Sequence, residues 1–302
     1  MDIPEVAQKA LIRYLGDSTD EFISKIKIRL EKYIALWKLT QVTYMSTNTV
    51  NLLFSCESAL YGPCVLKMCI PGPEVATEIH CLRAYDGRGY CKLWAHDLAD
   101  DVLLLERVSP GGQLWEVTDH RKRALHMAQT IKDLPVPWDG HGEYPSYESW
   151  LLGIYKTISS MSGLDDVLFY LNKALEVYHE LRTRYRRDCL LHGDLHQENL
   201  LLNAQGGYTV IDPKGVVDDP VMETARFLMN ETPCPAEKII EMAGIMSAII
   251  KIPVTDMLRS MFVDAALGHS WSLEEHFPTQ EAFDEKKREM LEICEFVYRL
   301  LV

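Results

Sequence analysis

The chain has 302 residues, of which 47% are apolar and 25% are charged, an ordinary composition for a globular protein. Its formal net charge of -13 would repel the phosphates of nucleic acids, so we expect no nucleic-acid partner, whereas a cationic small molecule is compatible with it. The most apolar run, residues 243–250, is too short to cross a bilayer, and we expect no membrane partner.

Cysteine usage and the first residues bear on the compartment. The chain starts without the basic and apolar regions of a signal peptide. The eight cysteines are scattered without a C-x-x-C pair, and several lie in apolar, strand-like runs as buried thiols do. We therefore expect a reducing, cytoplasmic setting.

A sheet with one inserted helix is predicted after a helical beginning. Apolar residues suit a first helix at Val6, Ala10, Leu11 and Tyr14 and a longer one at Phe22, Ile26, Leu30, Tyr33, Ile34 and Trp37. Strands are predicted at residues 41–45, 50–56, 64–70, 90–94 and 102–106, with a helix at residues 74–85. Five strands with one helix after the third is the layout of a kinase N-lobe.

Beyond residue 109 the pattern is mainly helical. Helices are predicted from the cap Asp119 to residue 132, from residue 147, and at residues 164–184, 236–251, 254–275 and 280–301. The sequence thus favours the α+β class with a bilobal, protein-kinase-like fold. We expect residues 1–108 to form an N-lobe with the nucleotide-binding sheet, and residues 109–302 to form a helical C-lobe with the catalytic loop and acceptor-binding helices.

The most informative motif is H-G-D-L-H-Q-E-N, residues 192–199, which a short Gly-Gly turn separates from Asp212. Asp194, Asn199 and Asp212 follow the order and spacing in which protein kinases place the catalytic base and two magnesium ligands. Phosphoryl transfer needs a carboxylate that accepts the hydroxyl proton and hard oxygen ligands for magnesium. The motif predicts these roles, and His192 is interpreted as structural. The alternative is a polar loop followed by a strand-end carboxylate.

Lys67 lies in C-V-L-K, which is close to the V-A-I-K pattern of a kinase third strand. At that position an ammonium pairs with the α and β phosphates of the nucleotide. Glu78, in the helix that follows, is placed to hold Lys67 by an ion pair. The alternative is that both residues are ordinary surface charges.

Further nucleotide contacts are predicted at two chain turns. Backbone groups at Glu106 and Val108, where the fifth strand ends, could bond the nucleobase edge, and a mere strand terminus is the alternative. The expected G-x-G-x-x-G loop is missing, and Ser46, Thr47 and Asn48 occupy its place. Their hydroxyl and amide groups could cap phosphates, and a plain hairpin turn is the alternative.

Four segments resemble the aminoglycoside phosphotransferase family, which has the kinase-like fold, and in particular its streptomycin 6-kinase or aminoglycoside/hydroxyurea resistance kinase branch. They are E-I-H-C-L-R-A-Y-D-G-R-G at 78–89, L-L-L-E-R-V at 103–108, L-H-G-D-L-H-Q-E-N at 191–199 and I-D-P-K-G at 211–215. The resemblance implies transfer of a phosphate from ATP or GTP, with magnesium, to a hydroxyl of a small molecule. An aminoglycoside is the first acceptor implied; hydroxyurea and other small metabolites are alternatives.

The resemblance also carries site residues. It matches Asp194 to the base, Asn199 and Asp212 to the magnesium ligands and Lys67 to the phosphate-binding lysine. The family's D-P-x-x-D segment appears as D-P-V-M-E, and the Glu223 that ends it leaves the usual loop-bracing role open. Aminoglycoside kinases bind cationic drugs with carboxylates of the C-terminal helices, which here implies Asp256, Asp264, Glu274 and Glu275, on a helix that also bears Trp271 as a candidate substrate contact. A solvated helix face is the alternative.

Two other classes of function are considered. His192, Asp194 and His196 form H-x-D-x-H, which with Asp212 could bind a transition metal in a metal-dependent hydrolase. That interpretation explains neither Asn199 nor Lys67. The other is a catalytically silent, kinase-like binding module, which the filled catalytic positions disfavour.

Overall fold

The structure is a computed structural model that describes residues 8, 11, 12, 15–46, 51–274 and 277–301. Three predictions fall outside these residues, namely the nucleotide contacts at Thr47 and Asn48, the substrate contact at Glu275, and most of the first helix. Within the described ranges, no helix combines the length and the apolar character that crossing a membrane requires. All eight cysteines are free thiols.

The N-terminal region is a helix packed on a five-stranded antiparallel sheet. Helix α1 spans Thr19–Leu36 and buries an apolar stripe that includes Phe22, Ile26 and Leu30, as their spacing predicts. The strands are β1 (Leu39–Met45), β2 (Leu52–Ser58), β3 (Gly62–Met68), β4 (Leu93–Asp97) and β5 (Val102–Glu106), in the order β1-β2-β3-β5-β4. Helix α2, Pro73–Tyr85, lies between β3 and β4 along the chain.

Alternation along β3 separates the two faces of this sheet. Cys64, Leu66 and Met68 are buried with the apolar stripe of α1. The side chain of Lys67 points to the other face because successive residues of a strand alternate. Lys67 stands opposite Leu103 of β5, which belongs to the core that contains α2. The strand thus turns a buried ammonium towards α2 and the helical region.

The remainder is mainly helical. Its helices are α3 (His120–Asp133), α4 (Tyr147–Ser159), α5 (Asp165–Arg184), α6 (Ala225–Asn230), α7 (Ala236–Ile250), α8 (Val254–Trp271) and α9 (Gln280–Arg299). Helix α8 is buried around most of its circumference, as a central helix is. Asp119 caps α3 as predicted, because its side chain accepts a hydrogen bond from the backbone N of Arg121.

Two small sheets hold the segments that carry the H-G-D motif. Strands β6 (Pro110–Gln113), β9 (Leu200–Asn203) and β10 (Tyr208–Val210) form one, in the order β10-β9-β6. Strands β7 (Val136–Pro137), β8 (Cys189–Leu191) and β11 (Val216–Asp218) form the other, in the order β11-β8-β7. The motif therefore lies between β8 and β9, and Asp212 lies between β10 and β11.

The α+β prediction is confirmed, with local differences. Strand β4 begins at Leu93 rather than at residue 90, because Tyr90 and Cys91 pair with Val210 of β10 instead of with the five-stranded sheet. Helix α8 ends at Trp271, where a short 3-10 turn, Ser272–Glu274, begins. The short helix α6 was not predicted.

Candidate active site

One ammonium group contacts two carboxylates where the five-stranded sheet meets the helical region. Lys67 Nζ lies 2.8 and 2.7 Å from the two carboxylate oxygens of Glu78 on α2. The same Nζ contacts Asp212 Oδ1. These three residues, named the lysine cluster below, join β3, α2 and the segment after β10.

Burial governs the charges of the lysine cluster. Burial alone would lower the pKa of Lys67, but the charges of Asp212 and Glu78 outweigh it and raise that pKa well above its ordinary value. Burial raises the pKa of Glu78 to about 7 against the opposing charge of Lys67. Burial also disfavours the charged form of Asp212, yet Lys67 prevails and lowers its pKa. One ammonium is thus shared by two carboxylates, of which Asp212 is the better ionised.

The backbone brings Asp212 to this place through a left-handed conformation. Its φ is +59°, a region that few residues other than Gly, Asn and Asp adopt readily. Gly215, at φ +72°, packs directly on α2, where a Cβ would lie 2.9 Å from the carbonyl oxygen of Thr77. The D-P-K-G turn therefore docks on the same helix that carries Glu78.

His192 holds the H-G-D loop to the segment that precedes Asp212. Its Nδ1 accepts a hydrogen bond from the backbone N of Asp194 at 3.0 Å, and its Nε2 donates to the carbonyl oxygen of Ile211 at 2.8 Å. Burial lowers the pKa of His192 to about 4, so its ring is neutral at pH 7. The structural role predicted for His192 is confirmed.

Glu223 braces the same loop through the backbone. Its Oε2 accepts a hydrogen bond from the backbone N of His192 at 2.6 Å, and its Oε1 accepts one from Gly193 at 3.1 Å. Burial raises the pKa of Glu223 to about 7, against these two donors, which favour the carboxylate. The longer Glu in place of Asp thus makes loop-bracing contacts.

Asn199 links Asp194 to the Asp212 segment. Its Nδ2 donates to the backbone carbonyl oxygen of Asp194 at 3.0 Å and lies 3.2 Å from His196 Nε2. The backbone carbonyl oxygen of Asn199 accepts a hydrogen bond from the backbone N of Ile211 at 3.0 Å. Within the described part of the chain its Oδ1 accepts no hydrogen bond. An amide oxygen and the Asp212 carboxylate are hard oxygen donors, so the residues present fit a magnesium ion shared with nucleotide phosphates.

The Asp194 carboxylate lies beside cationic side chains. Arg226 Nε is 3.1 Å from Asp194 Oδ1, and Arg226 Nη2 is 3.1 Å from Asp264 Oδ1. Burial would raise the pKa of Asp194, but Arg226 and Lys214 outweigh it and lower that pKa. An ionised carboxylate of this kind can accept a proton. Asp194, Arg226 and Asp264 are named the arginine cluster below.

The other predicted nucleotide contacts lie at strand ends. Ser46 is exposed after β1, and Val108 is half-buried beyond β5. Glu106 ends β5, where its carboxylate accepts a hydrogen bond from the backbone N of Lys92 at 3.1 Å. Among the described residues no hydrogen bond joins these three to the lysine cluster.

The predicted substrate residues differ in accessibility. Trp271 ends α8, and Lys214 Nζ lies 5.2 Å from its ring centroid. Glu274 is exposed in the following turn. Asp256 and Asp264 are 1% and 0% exposed, because α8 is a central helix rather than a solvated one. Asp256 is instead paired with side chains of the protein, namely Arg184, Arg259 and Tyr185. As they stand, neither carboxylate is open to an acceptor.

Arg226 and Lys214 had no predicted role, and His196 had one only in the transition-metal alternative. One signal for Arg226 was available, since it follows Glu223 by three residues and such pairs share one side of a helical turn. Helix α6 does continue from the 3-10 turn Met222–Thr224, so both side chains reach the H-G-D loop. The signal could not be used because α6 was not predicted.

The transition-metal alternative finds no cluster of ligands. Within the ranges that the structure describes, no group of three or more His, Cys, Asp or Glu side chains is arranged to hold a metal ion. Both ring nitrogens of His192 already have backbone partners.

Comparison with known proteins identifies the family. The model of the aminoglycoside/hydroxyurea antibiotic resistance kinase family matches residues 37–274. The chain is 27% identical to hydroxyurea phosphotransferase of Kitasatospora aureofaciens, over 76% of this chain and 68% of that protein. It is 25% identical to streptomycin 6-kinase of Streptomyces glaucescens, over 73% of this chain and 72% of that protein.

A solved structure shows the fold. Choline kinase of Streptococcus pneumoniae superposes with a TM-score of 0.67 at 15% identity, over 89% of this chain and 98% of that one. The five-stranded sheet and the helical region therefore correspond to the bilobal kinase-like fold. The chain belongs to the aminoglycoside/hydroxyurea antibiotic resistance kinase family and is a small-molecule phosphotransferase.

Proposed function

We propose that the protein transfers the γ-phosphate of ATP or GTP to a hydroxyl of a small, amino-bearing acceptor, with streptomycin-like aminoglycosides as the first candidates. The observation that carries this proposal is the shared ammonium of Lys67, which is held by Glu78 and contacts Asp212. Asn199 and Ile211 connect this cluster to Asp194 by hydrogen bonds. A phosphate-binding cation, oxygen ligands for a metal and a base in one connected site are what phosphoryl transfer requires.

In the proposed reaction Asp194 accepts the proton of the acceptor. The hydroxyl oxygen forms a bond to Pγ while the bond between Pγ and the β,γ-bridging oxygen breaks. The hydroxyl proton passes to the Asp194 carboxylate, whose pKa is held low enough for it to be ionised beforehand. The products are the phosphorylated acceptor, a nucleoside diphosphate and a proton that leaves Asp194 later.

The remaining roles concern the nucleotide. Lys67 binds the α and β phosphates, and Glu78 holds Lys67 in position. Asn199 and Asp212 hold magnesium, which when bound neutralises charge on the β and γ phosphates. Backbone groups at Glu106 and Val108 would bond the nucleobase, and the hydroxyl of Ser46 would cap phosphates. In this arrangement residues 1–108 are the nucleotide-binding lobe and residues 109–302 the acceptor-binding lobe.

The acceptor class rests on charge and on the names of the relatives. The net charge of -13 favours a cationic acceptor over an anionic one. Streptomycin and hydroxyurea, the substrates in the names of the two relatives, are the first compounds to examine. The free thiols support a reducing, cytoplasmic setting, where ATP and GTP are at hand.

A nucleotide-consumption screen tests the proposal. Purified protein with magnesium and either ATP or GTP is offered streptomycin, other aminoglycosides, amino sugars, hydroxyurea and simple alcohols. We expect one acceptor class to stimulate diphosphate release and to gain the mass of one phosphoryl group, and Asp194→Asn protein purified in parallel to show only background. Absence of both transfer and magnesium-dependent nucleotide binding would overturn the proposal.

A further inference from the structure

Arg226 is the one cation in ion-pair contact with the Asp194 side chain among the described residues, and α8 holds its other end. The guanidinium spans two carboxylates, with Nε 3.1 Å from Asp194 Oδ1 and Nη2 3.1 Å from Asp264 Oδ1. Its side chain is only 14% exposed. A nearly buried arginine between two carboxylates has few alternative positions, so its contact with Asp194 is a fixed feature of the site.

Helix α8 provides a seat for this guanidinium. Asp264 supplies the counter-charge, and Gly268, one helical turn later, supplies the space. A Cβ at Gly268 would lie 2.9 Å from Arg226 Nη1 and 3.0 Å from Nη2. Any side chain at Gly268 would therefore push the guanidinium away from its present place.

Asp264 depends on Arg226 in turn. Neither of its oxygens has a hydrogen-bond partner among the described residues, and the side chain is 0% exposed. A carboxylate buried in this way needs a cation nearby. Arg226 is that cation, so Asp264 and Arg226 form a unit that meets Asp194 at one edge.

Glu223 and Arg226 reach the H-G-D loop from the same short helical segment. Glu223 lies three residues before Arg226 in continuous helical backbone and binds the backbone N of His192 and of Gly193. One short segment thus holds the loop backbone with Glu223 and reaches the reactive side chain with Arg226.

We propose that Arg226 positions the Asp194 carboxylate for proton acceptance, and that Asp264 and Gly268 hold Arg226 in place. This inference rests on the proposed role of Asp194 as base. Arg226 Nε lies beside Asp194 Oδ1, and Asp264 lies beside Nη2 of the same guanidinium, so the orientation of the Asp194 carboxylate is tied to α8.

The test separates turnover from nucleotide binding in four variants: Arg226→Met, Arg226→Lys, Asp264→Asn and Gly268→Ala. For each, kcat and KM are measured with the acceptor from the screen, or with water as acceptor if slow nucleotide hydrolysis is the only turnover. Nucleotide Kd is measured by calorimetry with magnesium. Arg29→Met is the matched control. Arg29 lies on α1, away from the site, is 19% exposed and pairs with Asp100 at 3.4 Å.

A misplaced reacting group costs on the order of 100-fold in rate, so we expect Arg226→Met to lower kcat by about that factor with nucleotide Kd unchanged. Arg226→Lys should recover part of the loss, and Asp264→Asn and Gly268→Ala should lower kcat by a smaller factor, about 10-fold. Arg29→Met should leave both constants as in the wild type. If Arg226→Met does not fold, Arg226→Lys tests the inference instead: its kcat should be lower than that of the wild type while its nucleotide Kd is unchanged.

Three results would overturn the inference. Unchanged kcat in both Arg226 variants would remove Arg226 from the reaction. Loss of nucleotide affinity in proportion to kcat would make it a phosphate ligand instead. A rise in the acceptor KM alone would return Asp264 and Arg226 to acceptor binding. A wild-type protein without any turnover would instead contradict the proposed function, so the two failures are distinguishable.

Discussion

The lysine cluster and the arginine cluster share one arrangement of charges but differ in their hydrogen bonds. Each places one cation between two carboxylates at an edge of the H-G-D loop. In the lysine cluster the ammonium donates hydrogen bonds to both carboxylates. In the arginine cluster the distances are those of ion pairs, but Arg226 Nε and both oxygens of Asp264 are buried without an aligned hydrogen bond among the described residues.

The difference indicates that the described part of the folded chain satisfies the lysine cluster with its own hydrogen bonds and does not do so for the arginine cluster. A flexible ammonium can turn its three donors towards any carboxylate, whereas a planar guanidinium must match its partners in angle as well as in distance. The lysine cluster also joins the five-stranded sheet to the helical region, so its assembly follows from the docking of the D-P-K-G turn on α2. The arginine cluster lies within the helical region and keeps unused hydrogen-bonding capacity beside the candidate base.

Replacing Asp194, the proposed base, should remove turnover and leave the nucleotide binding proposed for the lysine cluster intact. We expect Asp194→Asn to lower kcat by about 10²–10⁴-fold, the range for a lost general base. Magnesium-dependent nucleotide affinity should stay close to that of the wild type, because Asp194 is not among the groups that bind phosphate. Calorimetry and a coupled assay measure the two quantities, and wild-type turnover in the variant would remove Asp194 from the mechanism.

Replacing Asp212 should have the reverse signature. We expect Asp212→Asn to weaken magnesium-dependent nucleotide binding at least tenfold, which corresponds to ~1.4 kcal/mol, because a charged ligand and a partner of Lys67 are lost together. Binding measured without magnesium should change less. Asp188→Asn is the control, since Asp188 is a carboxylate paired with Arg182 at 2.8 Å outside the site. Unchanged affinity would contradict the assignment of Asp212.

The sequence predicted the lysine cluster better than the arginine cluster, for a physical reason. Lys67, Asn199 and Asp212 are fixed by short motifs in which strand alternation and loop length leave little freedom. Arg226 and Asp264 meet only because α6 packs on α8, and a six-residue helix leaves almost no periodic signal. The burial of Asp264 was missed for the same cause, since a polar residue on a helix predicts a solvated face unless the helix is central.

The docking of D-P-K-G on α2 offers a milder perturbation of the lysine cluster. Gly215→Ala should place a methyl group 2.9 Å from the Thr77 carbonyl oxygen and push α2, with Glu78, away from Lys67. We expect a loss of about 1–3 kcal/mol in the free energy of unfolding from overpacking, in addition to about 1–2 kcal/mol for the left-handed backbone of Gly215, together with weaker nucleotide binding. Chemical denaturation and calorimetry measure these two effects.

Gly206→Ala is the matched control for that variant. Gly206 has φ +81°, also left-handed, but nothing lies within 4 Å of where its Cβ would be. It should show only the cost of left-handed backbone, about 1–2 kcal/mol, and unchanged nucleotide affinity. Equal affinities in the two variants would mean that α2 does not depend on the D-P-K-G turn.

The smallest expected effect concerns pH and the neighbour of the arginine cluster on α8. His269 Nε2 is buried without a hydrogen-bond partner among the described residues, and burial, with Arg226 and Lys286 nearby and Glu289 opposing, lowers its pKa to about 4. Between pH 4 and the ordinary value of 6.5 the unfolded chain therefore binds a proton that the native protein does not. Native stability falls as pH falls through this window, by less than the ~1.4 kcal/mol per pH unit of a full proton, because the ring is only partly buried.

His269→Asn isolates this contribution, since Glu78, Glu223 and Asp264, with raised pKa values, act in the opposite direction in both proteins. Denaturant unfolding from pH 4 to pH 7 should give a flatter pH dependence for the variant than for the wild type. Parallel curves would mean that folding leaves the pKa of His269 at its ordinary value, which would contradict the desolvation of its ring at this end of α8.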